Sequence, residues 1–136
     1  MHVIGYMKHK HNSRLVFDPT YPFVDLNTFE TGKQWQEFYC GAEEAIPPNA
    51  LKPCGKDIDL RTFVDSDHAG DKTNRRSRTG FMIFIQNSLI CWLSKKQATI
   101  ESYVFGAEFV AMKHDMETLQ GLRYKLRMMG VPLSGP

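Results

Sequence analysis

The chain has 136 residues, of which 42% are hydrophobic, and a formal net charge of +2. This length suits one domain, and the hydrophobic fraction is sufficient for a packed core. No apolar run approaches the roughly 18 residues of a membrane span, and no signal peptide precedes Lys8 and Lys10. The three cysteines have no C-x-x-C spacing, which indicates reduced thiols rather than disulfides or a zinc site. We therefore expect a globular intracellular protein, cytoplasmic or nuclear, with no membrane partner.

The N-terminal part, residues 1–57, carries apolar side chains without a closed pattern. We predict a short helix around residues 3–7, a strand at residues 15–17 and a turn at residues 18–20. Prolines and glycines are dense between Gly41 and Lys56, which is typical of a linker or a long surface loop. We place a domain boundary there, so that residues 58–136 form a second unit. Further apolar surface comes from the aromatic residues Phe29, Trp35, Phe38 and Tyr39.

Three strands are predicted after Lys56. Residues 60–65 have the composition of a strand, and residues 80–85 and 89–93 flank the short turn Gln86-Asn87-Ser88. Such a spacing favours a β-hairpin. We expect all three strands to lie side by side.

A long helix is predicted next. It would begin near Ser102 as N-cap and end near Gly130, with Pro132 beyond. Apolar residues recur at steps of three or four, as on one face of a helix that packs on a sheet. They are Phe105, Phe109, Met112, Met116, Leu119, Leu122 and Leu126.

Two carboxylates are candidate metal ligands. Asp65 ends the first predicted strand, and Glu108 shares or borders the apolar helix face. Carboxylates suit magnesium, and metal ions held by carboxylates commonly serve phosphodiester hydrolysis. A buried charge also needs a partner. The alternative for Glu108 is a position at the helix edge, in solvent or paired with Lys95 or Lys96, and spacing alone does not separate the two.

The aspartates around Asp65 suggest two weaker alternatives. A calcium loop would need oxygen ligands where Ala69 and Arg76 stand. An aspartate-based phosphotransferase would have a hydroxyl residue at the position of Ala69. Asp67 and Asp71 are more simply turn residues. The sequence assigns no role to the neighbouring His68.

The charges between Lys72 and Lys96 are all positive, with no acidic residue among them. Such a segment can attract phosphate groups without reading sequence, although the charges by themselves favour an ordinary solvated loop. The cationic residues are Lys72, Arg75, Arg76, Arg78, Lys95 and Lys96.

Four ordered blocks carry a resemblance to a known family. They are Phe63-Val64-Asp65-Ser66-Asp67-His68-Ala69-Gly70-Asp71, Arg75-Arg76-Ser77-Arg78-Thr79-Gly80-Phe81, Trp92-Leu93-Ser94-Lys95-Lys96-Gln97 and Ala107-Glu108-Phe109-Val110-Ala111-Met112. In this order and at these intervals the blocks resemble the ribonuclease H domain of copia-type retrotransposon polyproteins. The resemblance covers residues 58–130. Less distinctively, the N-terminal third resembles the connection region after the reverse transcriptase.

This resemblance implies an α/β, ribonuclease H-like fold in which three antiparallel strands precede a long helix. It also implies hydrolysis of the RNA strand of an RNA–DNA hybrid by two Mg²⁺ or Mn²⁺ ions. Asp65 matches the first catalytic aspartate and Glu108 the helix glutamate, both as metal ligands. The cationic residues from Lys72 to Lys96 would bind the hybrid. The reverse transcriptase portion of the parent polyprotein is the implied protein partner.

The chain departs from the family pattern in three places. His68 stands where the family has an aromatic residue, and residues 102–109 replace a run that carries a second glutamate upstream of Glu108. The family site is completed by an aspartate on a fourth strand and by another acid near the domain end. After Glu108 the chain has only Asp115 and Glu117, both in the predicted helix. We therefore expect the remaining strands and helices to be missing and this chain alone to be inactive. The competing interpretation is a non-catalytic nucleic-acid-binding remnant.

Overall fold

The computed structural model describes residues 2–23 and 44–133. The strands form one antiparallel sheet in the order β1-β2-β3, and α2 packs against β1 and β2. This arrangement confirms the predicted α/β class with three antiparallel strands followed by a long helix. In the described part, no helix is long and apolar enough to cross a membrane. The elements are α1 (His2–His9), β1 (Leu60–Asp67), β2 (Arg78–Ile85), β3 (Ser88–Lys96) and α2 (Val104–Met128).

The first described segment differs in part from its prediction. Helix α1 lies where a short helix was expected, but residues 15–17 form no strand. The Asp18 amide instead donates to the Ser88 hydroxyl at 2.6 Å, and that hydroxyl donates back to the Asp18 carbonyl at 3.0 Å. The Thr20 amide donates to the Asp18 carboxylate at 2.9 Å, which forms the predicted turn. The aromatic residues Phe29, Trp35, Phe38 and Tyr39 lie outside the described residues.

The β2–β3 hairpin contributes buried side chains to the core between the sheet and α2. Thr79, Phe81 and Ile83 alternate along β2 and are buried, as expected for one face of a strand. Ile85 pairs with Ser88, so the turn is shorter by one residue than predicted, because Ser88 already belongs to β3.

The face of α2 that packs on the sheet is not the predicted one. Its buried residues are Ala107, Ala111 and Asp115, whereas Phe105 and Phe109 are 79% and 57% exposed. Small side chains let the helix approach the sheet closely. The prediction of the buried face was therefore wrong for Phe105, Phe109, Met112 and Met116, while Leu119, Leu122 and Leu126 are half-buried.

The two ends of α2 compare differently with their predictions. Ser102 is not the N-cap: Tyr103 holds that position and makes no side-chain cap hydrogen bond. At the other end, Gly130 has φ of +73°, and its amide donates to the Arg127 carbonyl at 3.0 Å. The Val131 amide donates to the Leu126 carbonyl, also at 3.0 Å. These two bonds form a Schellman motif, which ends the helix where the glycine predicted it.

After α2 the chain returns to the edge of the sheet. The Ile58 amide donates to the Pro132 carbonyl at 3.0 Å, and Leu133 forms a parallel bridge with Ile58 just ahead of β1. The Cys54 amide similarly donates to the Gly130 carbonyl at 3.0 Å. The described part of the proline-rich segment therefore packs against the end of α2. The domain boundary at residue 57 stays a prediction.

Candidate functional site

Asp65 lies on the side of the sheet that faces away from α2. In the same strand, the Thr62 hydroxyl donates to the Asp115 carboxylate of α2 at 2.6 Å, so Thr62 faces the helix. Side chains alternate along a strand, which places Asp65 on the opposite side, called the outer face below. The Asp65 side chain is exposed, and its Oδ1 accepts the Ser66 amide at 2.9 Å.

Glu108 lies at the border of the interface between α2 and the sheet. It follows the fully buried Ala107 and is itself half-buried. In residues 2–23 and 44–133, no ion pair joins it to Lys95 or Lys96. The expectation that Glu108 borders the packed face agrees with this position.

The two candidate ligands lie on either side of one edge strand. Strand β1 is at the edge of the sheet, Asp65 is on its outer face, and α2 with Glu108 packs on its inner face. Within the described residues, no group of three or more His, Cys, Asp or Glu side chains could hold a metal ion. The roles of Asp65 and Glu108 as metal ligands therefore stay predictions.

The outer face has an apolar row and a charged row. By strand register, Phe63, Met82 and Trp92 lie next to one another, and each is between 44% and 60% exposed. Together with Leu15, these three side chains line a depression in the outer face. Nearer the end of the sheet, the register gives a row of Asp65, Gly80 and Ser94, and then a charged row of Asp67, Arg78 and Lys96.

The β1–β2 loop, residues 68–77, is held by its own hydrogen bonds. The Arg75 amide donates to the Asp71 carbonyl at 2.7 Å, and the Thr73 amide donates to the Asp71 carboxylate at 2.9 Å. The Ala69 amide donates to the hydroxyl of Ser77, which is fully buried, at 3.0 Å. Asp71 thus acts as the turn residue that its position predicted. A calcium loop is disfavoured because the Asp71 carboxylate is already paired with Lys96.

The predicted cationic residues divide between the two faces of the sheet. Lys96 forms a hydrogen-bonded ion pair with Asp71. The hydrogen bond from Lys96, together with the one from the Thr73 amide, holds the pKa of the Asp71 carboxyl below its usual value. Lys95 pairs in register with Thr79, whose side chain faces α2, so Lys95 lies on the inner face. Arg78 and Lys96 are on the outer face, beside the exposed loop residues Lys72, Arg75 and Arg76.

His68 and Gln97 make contacts that the sequence patterns did not reveal. The Nε2 of His68 lies 3.1 Å from the Glu101 carbonyl, which ties the β1–β2 loop to the segment before α2. The buried Gln97 amide donates to the Ala107 carbonyl at 2.9 Å and to the Thr79 hydroxyl at 3.1 Å. Gln97 therefore connects the sheet to the turn of α2 that carries Glu108.

The chain is similar over part of its length to curated retrotransposon polyproteins. It is 31% identical over 77 residues, 57% of its length, to a retrovirus-related Pol polyprotein from transposon TNT 1-94 of Nicotiana tabacum. It is 29% identical over 82 residues, 60% of its length, to the corresponding polyprotein from transposon RE2 of Arabidopsis thaliana. An uncharacterized mitochondrial protein of Arabidopsis thaliana is 36% identical over 55 residues, which is 40% of this chain and 23% of that protein.

The chain covers only 6% of the length of either polyprotein. No family model matches the chain, and no solved structure matches it. The similarity therefore relates more than half of the chain to copia-type retrotransposon Pol polyproteins, without assigning an activity to the matched region.

Proposed function

We propose that the chain from residue 58 onward is part of a ribonuclease H-like domain of retrotransposon origin. In its complete form such a domain would hydrolyse the RNA strand of an RNA–DNA hybrid with two divalent metal ions. The observation that carries the proposal is the order of the elements in a chain similar to Pol polyproteins: three antiparallel strands, a helix packed on β1 and β2, and a parallel bridge beside β1. Asp65 lies on β1, and Glu108 lies on the helix that packs against this strand.

The path of the chain after α2 supports a ribonuclease H-like topology. The resemblance calls for a fourth strand that carries a further catalytic aspartate. Leu133 pairs in parallel with Ile58, on the edge of β1 that β2 leaves free. A strand continuing from this bridge would lie beside β1 and bring its side chains near Asp65. Helix α2 would then be a crossover connection from β3, at one edge of the sheet, to a parallel strand at the other edge beside β1.

The described carboxylates would supply only part of the ligands of a two-metal site. Asp65 and Glu108 offer hard oxygen ligands of the kind that Mg²⁺ and Mn²⁺ prefer. Bound ions would activate water and stabilise the leaving oxygen. Two carboxylates on opposite sides of a strand do not complete such a site, so cleavage by this chain alone is not expected.

Binding of the hybrid would use the cationic residues. A basic loop and strand end attract phosphate groups, and the affinity falls with salt because counterions are released. RNA–DNA hybrids are recognised by shape, 2′-hydroxyls and phosphates rather than by base sequence. The proposed nucleic-acid-binding residues are Lys72, Arg75, Arg76, Arg78, Lys95 and Lys96.

The test is binding and cleavage of a labelled RNA–DNA hybrid in Mg²⁺ or Mn²⁺, compared with Asp65→Asn and Glu108→Gln. Glu117→Gln is the matched control for Glu108→Gln, because it removes the same charge from an exposed position of α2. We expect salt-sensitive binding without cleavage. If cleavage occurs and only Asp65→Asn and Glu108→Gln abolish it, a working site assembles in this chain. A chain that does not bind the hybrid at any salt concentration contradicts the proposal.

A second candidate is a nucleic-acid-binding remnant that has lost the metal site. The separation of Asp65 and Glu108 by β1 favours it. Measuring the affinity for the hybrid in Mg²⁺ and in EDTA, at constant ionic strength, distinguishes the two functions. If Asp65 and Glu108 hold part of a metal site, Mg²⁺ should raise the affinity for the hybrid, and Asp65→Asn should remove this gain. A remnant predicts the same affinity in both conditions.

A further inference from the structure

We propose that a concavity at the end of the outer face binds a single phosphate group of a nucleic-acid backbone. The source of that phosphate rests on the proposed function. The concavity has a volume of about 170 Å³ and lies between the β1–β2 loop and the ends of β2 and β3. We call it the loop pocket, and its lining residues are Asp67, Gly70, Asp71, Arg76, Ser77, Arg78 and Lys96.

The charges of the loop pocket suit an anion. Three cationic side chains, those of Arg76, Arg78 and Lys96, line it together with two carboxylates. One of these carboxylates, that of Asp71, already accepts hydrogen bonds from Lys96 and from the Thr73 amide. This ion pair neutralises Lys96 as well, so that Arg76 and Arg78 against Asp67 leave one net positive charge in the loop pocket. Guanidinium groups bind phosphate oxygens through two parallel hydrogen bonds, which gives geometric selectivity beyond charge.

The backbone under these cations is preorganised. Ala69 and Arg75 hold left-handed conformations, with φ of 51° and 56°, and the buried Ser77 hydroxyl accepts the Ala69 amide. The Asp71 amide also donates to the Arg76 carbonyl at 3.2 Å, which closes the loop. Because the loop is already fixed, a ligand would pay little to order it.

Gly70 contributes through its lack of a side chain. A Cβ at this position would overlap the carboxylate of Asp67, which folds over the glycine. The Asp67 carboxylate therefore lies close against the backbone of Gly70, and both residues line the loop pocket. A larger residue at position 70 would push Asp67 out of place.

The neighbouring lysines provide a matched pair for a test with free phosphate. Lys96 lines the loop pocket on the outer face, whereas Lys95 pairs with Thr79 on the inner face. Substitution of either lysine by glutamine removes one positive charge from the same strand end. Only Lys96→Gln removes a cation from the loop pocket.

The first experiment titrates the full chain with inorganic phosphate by NMR at constant ionic strength. We expect shifts of the loop amides and an affinity that falls about tenfold in Lys96→Gln and in Arg78→Gln but little in Lys95→Gln. Asp71→Asn removes a competing carboxylate and is expected to raise the phosphate affinity. This variant also keeps the test decisive if Lys96→Gln, which loses its ion pair with Asp71, fails to fold.

The second experiment measures the salt dependence of binding to an RNA–DNA hybrid. Loss of one phosphate contact reduces the slope of log affinity against log salt by about 0.9. We expect this in Lys96→Gln and Arg78→Gln but not in Lys125→Gln, which removes a cation from an exposed position of α2 outside the proposed binding residues. Equal losses in Lys125→Gln and Lys96→Gln would contradict a phosphate site in the loop pocket and indicate a diffuse positive field. Hybrid binding without any phosphate response would also overturn it, while leaving the proposed function intact. A phosphate response that needs Lys96, without hybrid binding, supports the loop pocket and contradicts the proposed function.

Discussion

At the scale of single residues, a buried carboxylate joins α2 to the edge strand. Asp115 is 1% exposed, and its Oδ1 accepts the Thr62 hydroxyl at 2.6 Å. A buried carboxylate is costly unless it is hydrogen-bonded, and so is a buried hydroxyl that loses its acceptor. We expect Asp115→Ala to lower the free energy of unfolding by about 1–3 kcal/mol in urea titrations.

The control is Glu117→Ala, on an exposed position of α2, with an expected change within about 0.5 kcal/mol. Asp115→Asn keeps an acceptor for Thr62 and is expected to cost less than Asp115→Ala. Equal stability of Asp115→Ala and Glu117→Ala would show that the Thr62 hydrogen bond contributes nothing.

Also at this scale, Glu44 gives the fold a pH dependence. Its carboxylate accepts hydrogen bonds from Arg123 at 2.8 and 3.1 Å and from Arg127 at 2.8 Å. The hydrogen bond from Arg123, supported by Arg127, holds the pKa of the Glu44 carboxyl below its usual value. Since the folded-state pKa is the lower one, this stabilisation is full at neutral pH and is lost as the pH falls through the folded-state pKa.

The substitution Glu44→Gln isolates this contribution. We expect it to lower the free energy of unfolding at pH 7 by about 1 kcal/mol, the scale of a partly exposed ion pair. The difference from the unmodified chain should shrink in urea titrations at progressively lower pH. A difference that stays constant down to acidic pH would mean that the ion pairs with Arg123 and Arg127 are not its cause.

At the scale of elements, α2 demonstrates what periodicity can and cannot predict. A helix from the region of Ser102 to Gly130 was predictable, because apolar residues recur at helical steps and a glycine follows. Its rotation was not, since Ala107 and Ala111 form a second, smaller apolar face, and that face packs on the sheet. The period is the same for both faces, and packing decides between them.

This correction leads to a prediction about α2. Ala111 is fully buried against the sheet, so Ala111→Leu should force the helix outward and cost about 1–3 kcal/mol of unfolding free energy. Phe109 is mostly exposed, and Phe109→Ser should change stability by about 0.5 kcal/mol or less. Urea unfolding of both variants tests the helix rotation. A larger loss in Phe109→Ser would restore the face that the sequence predicted.

The residues of the candidate site could be predicted from the sequence, but their arrangement in space could not. The pattern of the chain singles out Asp65 and Glu108, but it does not tell which face of β1 carries Asp65. Both faces of that strand mix polar and apolar residues, so the period of two gives no clear inside. The Lys96–Asp71 ion pair could not be predicted from the sequence either, because it depends on how the β1–β2 loop folds back onto β3.

At the scale of the whole molecule, the described residues expose three surfaces suited to contacts with other chains. One is the edge of β1 that β2 leaves free, where the bridge between Ile58 and Leu133 lies just ahead of the strand. The second is the exposed stripe of α2 that contains Phe105 and Phe109. The third is the apolar row of Phe63, Met82 and Trp92 on the outer face. Open strand edges and apolar patches favour association between molecules.

We therefore expect the chain to associate as its concentration rises, and Met82→Lys to weaken this association. Met82 is the central residue of the apolar row and is 44% exposed, so a lysine there can reach solvent with little loss of stability. Sedimentation velocity over a range of concentrations measures the effect. The matched control is Ser102→Lys, which adds the same charge at an exposed position before α2. If both lysine variants reduce association equally, net charge is the cause; if neither does, the association uses the β1 edge or the α2 stripe instead of the outer face.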